Sequence, residues 1–173
     1  RNVDWLKQNL APYGLEYVQI DDGWQGRGDG QGDNRDWFVT CEKKFPEGMK
    51  GLADKIRKAG FIPGIWLIPF TQSDTDFFEK NKDMFLVNDQ GKSVGDLDSP
   101  QSWMERNPKV LCDWCGRYWL DSTNPKTLTY FQKLFDMICK DWGYDYVKID
   151  GQRAVVNMYQ SNQKRLFNPE KTP

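Results

Sequence analysis

Histidine is absent from this sequence of 173 residues, and its absence narrows the chemistry more than any other feature of the composition. Without an imidazole, a serine–histidine–aspartate triad, most zinc enzymes and a histidine general base are disfavoured. Any acid–base chemistry must therefore use carboxylates, lysine, tyrosine or cysteine.

The sequence also lacks a strong excess of charge and any long apolar run. The formal net charge is −1, so nothing indicates attraction to nucleic acid or to an anionic membrane. No apolar run approaches the roughly 20 residues that span a bilayer. We therefore expect neither a nucleic-acid partner nor a membrane partner.

An initiator methionine and a basic-then-apolar signal are missing too, since the sequence begins at Arg1, just before a predicted helix. We expect the chain to be a processed or excised piece of a longer protein. The compartment is therefore left open, with a periplasmic or secreted location favoured over a cytoplasmic one. The length suffices for one domain with its own core.

The four cysteines complete no recognised site. Cys112 and Cys115 have the spacing of half a zinc site, but no second pair and no histidine completes it. A redox pair would follow a strand and open a helix, whereas this pair lies in a stretch rich in Asp, Asn, Gly and Trp. A structural or loop-closing pair is favoured over redox or metal chemistry, and the state of the two thiols stays open.

Aromatic residues, by contrast, are abundant, because Trp, Tyr and Phe together make up 14% of the chain. Their side chains offer flat apolar faces with polar tips at low entropic cost. We expect most of them in the core, while their number in a hydrophilic chain favours a cleft for a sugar or another small ligand.

Helical and extended patterns alternate along the chain. Apolar spacing and end signals predict helices over 3–10, 49–59 and 125–142, and a shorter one within 74–86. Strands are predicted over 15–20, 64–70, 118–120 and 144–150, the second starting at Gly64 because Pro63 lacks an N–H donor. We expect a surface loop over 25–36, an irregular excursion over 87–108, and a polar, surface-bound or frayed end over 157–173.

The chain contains an internal repeat. Residues 13–21 and 142–150 share an aromatic–Gly pair, an apolar residue, an acid and then Tyr-Val-x-Ile-Asp. Repeated helix–strand units predict parallel strands, and an Asp at the end of more than one strand favours a (β/α) barrel over an open sheet. No glycine-rich phosphate loop follows a strand, which weakens a nucleotide-binding alternative.

The predicted fold is therefore of the α/β class. The three or four visible strands are about half of an eight-stranded barrel, which usually needs about 250 residues. We predict a partial (β/α)8 TIM barrel, with residues 1–173 forming part of one catalytic domain.

The last predicted strand carries a polar face. Side chains alternate along a strand, so Tyr146, Lys148 and Asp150 share one side while Val147 and Ile149 share the other. This pattern is typical of a barrel strand whose inner face ends in an active site. An edge strand with a solvated polar face is the alternative.

Further polar and aromatic residues lie at or just beyond the ends of predicted strands. They are Asp21, Asp22, Trp24, Trp66, Lys148, Asp150, Gln152 and Arg153. Adjacent carboxylates beside a Trp can bind vicinal hydroxyls while the ring covers a sugar face. A nearby Lys lowers the pKa of an Asp, and a glycosidase nucleophile has to be ionised. A simple Asp-Gly turn is the alternative interpretation of Asp21 to Gly23.

Several motifs in order resemble a known family. They are YVQIDDGWQ, FPEGMKGLADKI, GFIPGIWLIPF, LDSTNP and WGYDYVKID. Together they resemble the α-galactosidase clan of glycoside hydrolases, the melibiase-type family 36 more than family 27. The resemblance covers nearly the whole chain to Arg153, and it implies strands two to four of that family's barrel.

The resemblance implies roles for individual residues. Asp150 would be the nucleophile, Asp21 and Asp22 would bind sugar hydroxyls in the −1 subsite, Lys148 would bind the same sugar, and Trp66 would line the pocket. The substrate-binding set that we predict also contains Trp24, Arg117, Gln152 and Arg153. The family usually carries Asp-Met-Asn-Arg where this chain has Asp-Gly-Gln-Arg, and raffinose-synthase-like galactosyl transfer is an alternative to hydrolysis.

The implied mechanism is double displacement with retention, in which a second carboxylic acid protonates the leaving oxygen. No motif after Asp150 matches the family's acid/base Asp. We therefore expect the 173 residues alone to be inactive. The implied partners are an α-galactoside oligosaccharide and the rest of the barrel, with no cofactor.

Two other functions remain open at this point. Asp21, Asp22 and Asp150 could hold Mg²⁺ in a metal-assisted enzyme, although Lys148 is an awkward neighbour for a cation. A non-catalytic carbohydrate-binding piece is the other alternative.

Overall fold

The computed structural model describes residues 2–26, 35–94 and 118–171 and contains both helices and strands. The helices are α1 Asn2–Asn9, α2 Gly48–Lys58, α3 Thr75–Lys80, α4 Pro125–Phe135 and α5 Gln152–Ser161. The strands are β1 Tyr17–Ile20, β2 Ile62–Leu67, β3 Thr71–Gln72, β4 Tyr118–Trp119 and β5 Tyr146–Ile149. None of the helices in these ranges is long and apolar enough to cross a membrane.

Three of the strands form a parallel sheet in the order β1-β2-β5. Gln19 is the partner of Gly64, and Trp66 is the partner of Lys148. The prediction of parallel strands from the internal repeat is thus confirmed. The connection from β1 to β2 contains α2, and the connection from β2 to β5 contains α4, as the helix–strand pattern indicated.

The remaining two strands form a separate antiparallel pair, with Thr71 opposite Trp119 and Gln72 opposite Tyr118. The extended segment at 118–120 was predicted, but its partner was not. Two residues of strand are too few to show a hydrophobic period, so only the fold could reveal this pairing.

The start predicted for the second strand was wrong, because β2 includes Pro63. The N–H of Ile62 donates to Glu16 on the β1 side, and the carbonyl of Pro63 accepts from Asp145 on the β5 side. The N–H that Pro63 lacks therefore faces β5, whose pairing with β2 begins only at Gly64. No ladder hydrogen bond is lost at that position.

Helix α4 begins as its sequence indicates. The side chain of Asn124 accepts from the N–H of Lys126, and Pro125 occupies the first turn, where its missing N–H costs nothing. The helix continues as a π-helical segment, Asp136–Asp141, and Gly143 ends it with a φ of 78°. Its buried face, which includes Leu134 and Ile138, packs in the main core.

The main core combines side chains from the sheet and from its helices, and it includes three buried tryptophans. Trp24, Trp37 and Trp66 are each at most 1% exposed and belong to one buried cluster with Ile65 and Leu67 of β2. Burial of such large side chains is a major stabilising term. The cluster supports the carboxyl end of β2, beside the predicted site.

The end of the described chain is more ordered than predicted. The segment predicted to be surface-bound or frayed, 157–173, begins within α5, and its Tyr159 and Leu166 are buried. The Tyr159 hydroxyl donates to the Leu120 carbonyl at 2.6 Å, and the buried Asp121 carboxylate accepts from the N–H of Phe167 at 2.6 Å. These bonds attach the segment to the chain after β4.

The prediction of a surface loop over 25–36 was wrong at both ends of this range. Gln25, Arg35 and Asp36 are buried, and Gln25 forms a β-bridge with Thr40. Residues 27–34 lie outside the described residues, as do most of the predicted 87–108 excursion, Cys112 and Cys115.

Candidate active site

Four of the predicted site residues meet at the carboxyl end of the parallel sheet, namely Asp21, Trp66, Lys148 and Asp150. Asp21 follows β1 directly, and Asp150 follows β5 directly. Between these two strands, Trp66 lies near the end of β2 with Lys148 as its partner in the register. Parallel strands bring their carboxyl ends to one edge, so the repeat in the sequence becomes one cluster in space.

Asp150 has a carboxylate that is held on both oxygens and still reaches solvent. The Trp66 indole Nε1–H donates to Oδ2 at 2.9 Å, and the N–H of Gly151 donates to Oδ1 at 2.7 Å. The side chain is 37% exposed. These two donors, the Trp66 indole first, lower the pKa of Asp150 against the opposing effect of burial. Asp150 is therefore an ionised, accessible carboxylate.

Lys148 contacts Asp21 more closely than it contacts Asp150. Its Nζ lies 3.2 Å from Asp21 Oδ2 and 4.0 Å from Asp150 Oδ2. The prediction that Lys148 lowers the pKa of Asp150 is confirmed in direction. The charge of Lys148, however, contributes less to the pKa shift than the Trp66 and Gly151 hydrogen bonds or burial. Lys148 bridges the two strand ends, and the side chains of Lys148 and Asp21 are 40% and 59% exposed.

Gln19 is a member of the cluster that the sequence interpretation missed. Its Nε2 donates to Asp21 Oδ2 at 2.7 Å, the same oxygen that Lys148 approaches. The two-residue spacing from Gln19 to Asp21 within a strand pattern could have indicated that they share a face.

Asp22 is bound quite differently from Asp21, although the two are adjacent. Both terminal nitrogens of Arg35 donate hydrogen bonds to the Asp22 carboxylate, Nη1 to Oδ1 at 2.7 Å and Nη2 to Oδ2 at 3.1 Å. Gln25 Nε2 also donates to Oδ1 at 2.7 Å. Arg35 is fully buried, whereas the Asp22 side chain is 28% exposed. Nothing in the sequence indicated that Arg35 is buried, because a segment rich in Gly and Asp is typical of an exposed loop.

The two tryptophans of the predicted sugar pocket are buried. Trp24 is 0% exposed, and its indole donates to the Trp66 carbonyl at 2.7 Å. Its ring therefore covers no exposed face, contrary to the expectation that it would lie against a sugar. Trp66 is 1% exposed and reaches the cluster through the indole N–H that it donates to Asp150.

The remaining predicted residues lie around this cluster or beyond the described part. Gln152 and Arg153 are exposed in the first turn of α5, directly after the Asp150–Gly151 pair. Arg117 lies outside the described residues.

A cation site built from the three aspartates has no support in the described residues. There, no group of three or more carboxylate or thiol side chains is placed to hold a metal ion. Asp21 pairs with Lys148 and Asp22 with Arg35, so each already has a cationic partner. The cluster instead combines carboxylates with fixed N–H donors, an arrangement suited to binding hydroxyls and attacking an electrophilic carbon.

Comparison with known proteins agrees with this geometry. Residues 1–171 match the Melibiase family. The chain is 30% identical to an α-galactosidase of Escherichia coli, over 90% of this chain and 20% of the relative. It is 32% identical to α-galactosidase AgaA of Geobacillus stearothermophilus, over 94% of this chain and 22% of the relative.

A solved structure gives the same result for the fold. The α-galactosidase TtGalA of Thermus thermophilus superposes with a TM-score of 0.59 and 27% identity, over 94% of this chain and 30% of that chain. The chain thus spans about a fifth of the length of the two curated relatives. Because the family match extends over nearly all of the sequence, the chain belongs to the Melibiase family.

Proposed function

We propose that this chain supplies the nucleophile half of a retaining glycoside hydrolase that cleaves terminal α-galactosides, with Asp150 as the nucleophile. The observation that carries the proposal is the Asp150 carboxylate at the end of β5. It is ionised and accessible, and donors from Trp66 and Gly151 fix both of its oxygens. Membership of the Melibiase family supports the same chemistry.

The reaction follows from the position of that carboxylate. An Asp150 oxygen attacks the anomeric carbon, and the glycosidic bond breaks with its electron pair moving to the leaving oxygen. A second carboxylic acid, about 5–5.5 Å away in retaining enzymes, protonates that oxygen. Water, activated by the same second group, then attacks the galactosyl ester and releases the sugar with its original configuration.

The acid/base group is proposed to come from another part of the barrel. The only carboxyl side chain after Asp150 is Glu170, which lies in a 3-10 turn, Pro169–Lys171, and not at the end of a strand. Barrel enzymes take catalytic residues from the ends of several strands. The 173 residues alone are therefore expected to lack hydrolase activity.

The sheet is proposed to be the second, third and fourth strands of a (β/α)8 barrel. The parallel order β1-β2-β5, with a helix in each connection, supports this assignment. So does the collection of polar side chains at the carboxyl ends, where barrel enzymes place their sites. The fold similarity to TtGalA is a further support.

The proposed substrate is a terminal galactosyl group of an α-linked oligosaccharide. TtGalA has been solved in complex with p-nitrophenyl α-D-galactopyranoside and with stachyose. In this chain the exposed Asp21–Lys148 pair offers both an acceptor and a donor to sugar hydroxyls. The proposed contact set also contains Asp22, Gln152, Arg153 and Arg117.

A chimera tests the proposal. This chain would replace the matching segment of Geobacillus stearothermophilus AgaA, and hydrolysis of p-nitrophenyl α-D-galactopyranoside would be measured. Asp150→Asn should lower kcat by on the order of 10⁴-fold, since it removes the attacking group. Asp145→Asn is the matched control, because Asp145 is 58% exposed and pairs with Arg57, away from the cluster.

Two results would contradict the proposal. One is a folded chimera without activity, and the other is an Asp150→Asn variant as active as Asp145→Asn. Product analysis with added sucrose distinguishes galactosyl transfer from hydrolysis, because both share the first step. Galactose binding that Asp150→Asn leaves intact, without turnover, would favour a carbohydrate-binding function.

A further inference from the structure

Arg35 occupies a position that hydrolysis of a galactoside does not by itself explain. It is fully buried, and its two terminal nitrogens grip both oxygens of Asp22 at 2.7 and 3.1 Å. A buried guanidinium is costly unless it is well paired. Such a group is therefore expected to hold its neighbours in a fixed arrangement.

The same guanidinium also contacts the ring system behind the nucleophile. Its Cζ lies 5.3 Å from the centre of the Trp66 ring and 5.9 Å from that of Trp37. These distances lie within the range of a cation–π contact. Trp66 in turn donates its indole N–H to Asp150 at 2.9 Å. One residue thus contacts both Asp22 and the donor to Asp150.

We propose that Arg35 is a positioning residue that fixes Asp22 and the Trp66 indole relative to each other and thereby aims the indole N–H at Asp150. The catalytic meaning of this alignment rests on the proposed function, but the contacts themselves do not. Arg35 acts through Trp66 and Asp22 and does not touch the sugar.

Arginine is needed at this position for a geometric reason. Its planar group can bind a carboxylate with two parallel bonds and still lie against an aromatic face. Lysine would keep the positive charge but would lose the second bond and the stacking. Arg35→Lys therefore separates the effect of alignment from the effect of charge.

The experiment follows the Trp66 indole resonance by NMR in the 173-residue chain, with Trp66→Phe to assign it. In the wild-type chain this resonance should shift as Asp150 titrates, and Asp150→Asn should abolish that shift. In Arg35→Lys we expect the Trp66 indole hydrogen to exchange with solvent about tenfold faster than in the wild-type chain. The reason is that the charge-assisted hydrogen bond from the indole to Asp150 is weakened. The titration midpoint should also move to higher pH.

Arg57→Lys is the matched control, because Arg57 also pairs with an Asp but lies 45% exposed beside Asp145. It should leave both the exchange rate and the midpoint unchanged. Arg35→Lys values equal to those of Arg57→Lys would overturn the proposal. No enzyme assay is involved, so a wrong nucleophile assignment would leave this result standing.

A measurement on the unsubstituted chain covers the case in which Arg35→Lys does not fold. A stacked, doubly bound guanidinium should show ring-shifted, slowly exchanging Nη protons for Arg35. Arg35 protons that exchange as fast as those of Arg57 would equally overturn the proposal.

Discussion

The hydrogen bond between Trp66 and Asp150 can be measured without any substrate. Trp66→Phe removes the N–H that lies 2.9 Å from Oδ2 and keeps an aromatic ring in a position that is 1% exposed. Asp150→Asn removes the charge of the acceptor. A double-mutant cycle between the two substitutions separates the energy of this bond from the packing that is lost when indole becomes phenyl.

The expected size follows from the exposure of the acceptor. A hydrogen bond to a charged group contributes about 1.5–3 kcal/mol. Because the Asp150 side chain is 37% exposed and water screens such a pair, we expect a coupling free energy of about 1 kcal/mol at neutral pH. Trp66→Phe alone should lower the free energy of unfolding by about 2–3 kcal/mol, since buried volume and the Arg35 contact are also lost.

The pH dependence of the coupling has a definite sign. The folded protein lowers the pKa of Asp150, through Trp66 first, then Gly151, with a smaller contribution from Lys148. The stabilisation is therefore fully present above the unfolded pKa of about 3.9. It is lost as the pH falls through the lower folded value. The coupling energy should decline over that acidic range.

Urea unfolding followed by circular dichroism, at neutral pH and at several acidic values, measures the coupling. A coupling energy under about 0.3 kcal/mol at neutral pH is within the additivity expected of independent sites. That value, or a coupling that grows on acidification, would refute the assigned bond.

Two further predictions concern the scaffold of the site. Tyr159→Phe should lower the free energy of unfolding by about 1–3 kcal/mol, because it leaves the Leu120 carbonyl and the Ser122 N–H without their buried partner; an unchanged melting temperature would contradict this. Gly64→Ala should destabilise the sheet by about 1–3 kcal/mol, because the new Cβ would lie 2.6 Å from Tyr146 Cδ1. Adding Tyr146→Ala should recover part of that loss in a urea titration, and simple additivity of the two would refute the clash.

The parts that the sequence predicted well are those with a repeated local pattern. The helix–glycine–strand units recur, and parallel strands bring the Asp residues that follow them to one edge. The placement of Asp21, Lys148 and Asp150 could therefore be predicted from spacing alone.

The parts that the sequence did not predict depend on distant partners. A segment rich in Gly and Asp is typical of an exposed loop, yet Arg35 is buried because Asp22 and two tryptophan rings surround it. Trp24 is buried for a similar reason, since its indole finds an acceptor in the Trp66 carbonyl, 42 residues away. No local pattern encodes such contacts.

The helix after Asp150 was missed for a related reason. Polar residues make up half of α5, and Tyr159 is buried in a cluster that includes Leu86 and Trp119, with its hydroxyl bonded to the Leu120 carbonyl. Tertiary packing of a narrow apolar face supplies most of the stability of such a helix.

The central claim is that Asp150 forms the covalent bond to the sugar. Its most direct test uses the AgaA chimera and a fluorinated, activated α-galactoside. Such a reagent forms the ester with the enzyme quickly, but that ester hydrolyses slowly. Peptide mass spectrometry then locates the label. We predict one galactosyl-derived group on the peptide that contains Asp150, and none in Asp150→Asn. A label on another carboxylate would contradict this claim. Full turnover without a label on Asp150, together with full activity of Asp150→Asn, would contradict it equally.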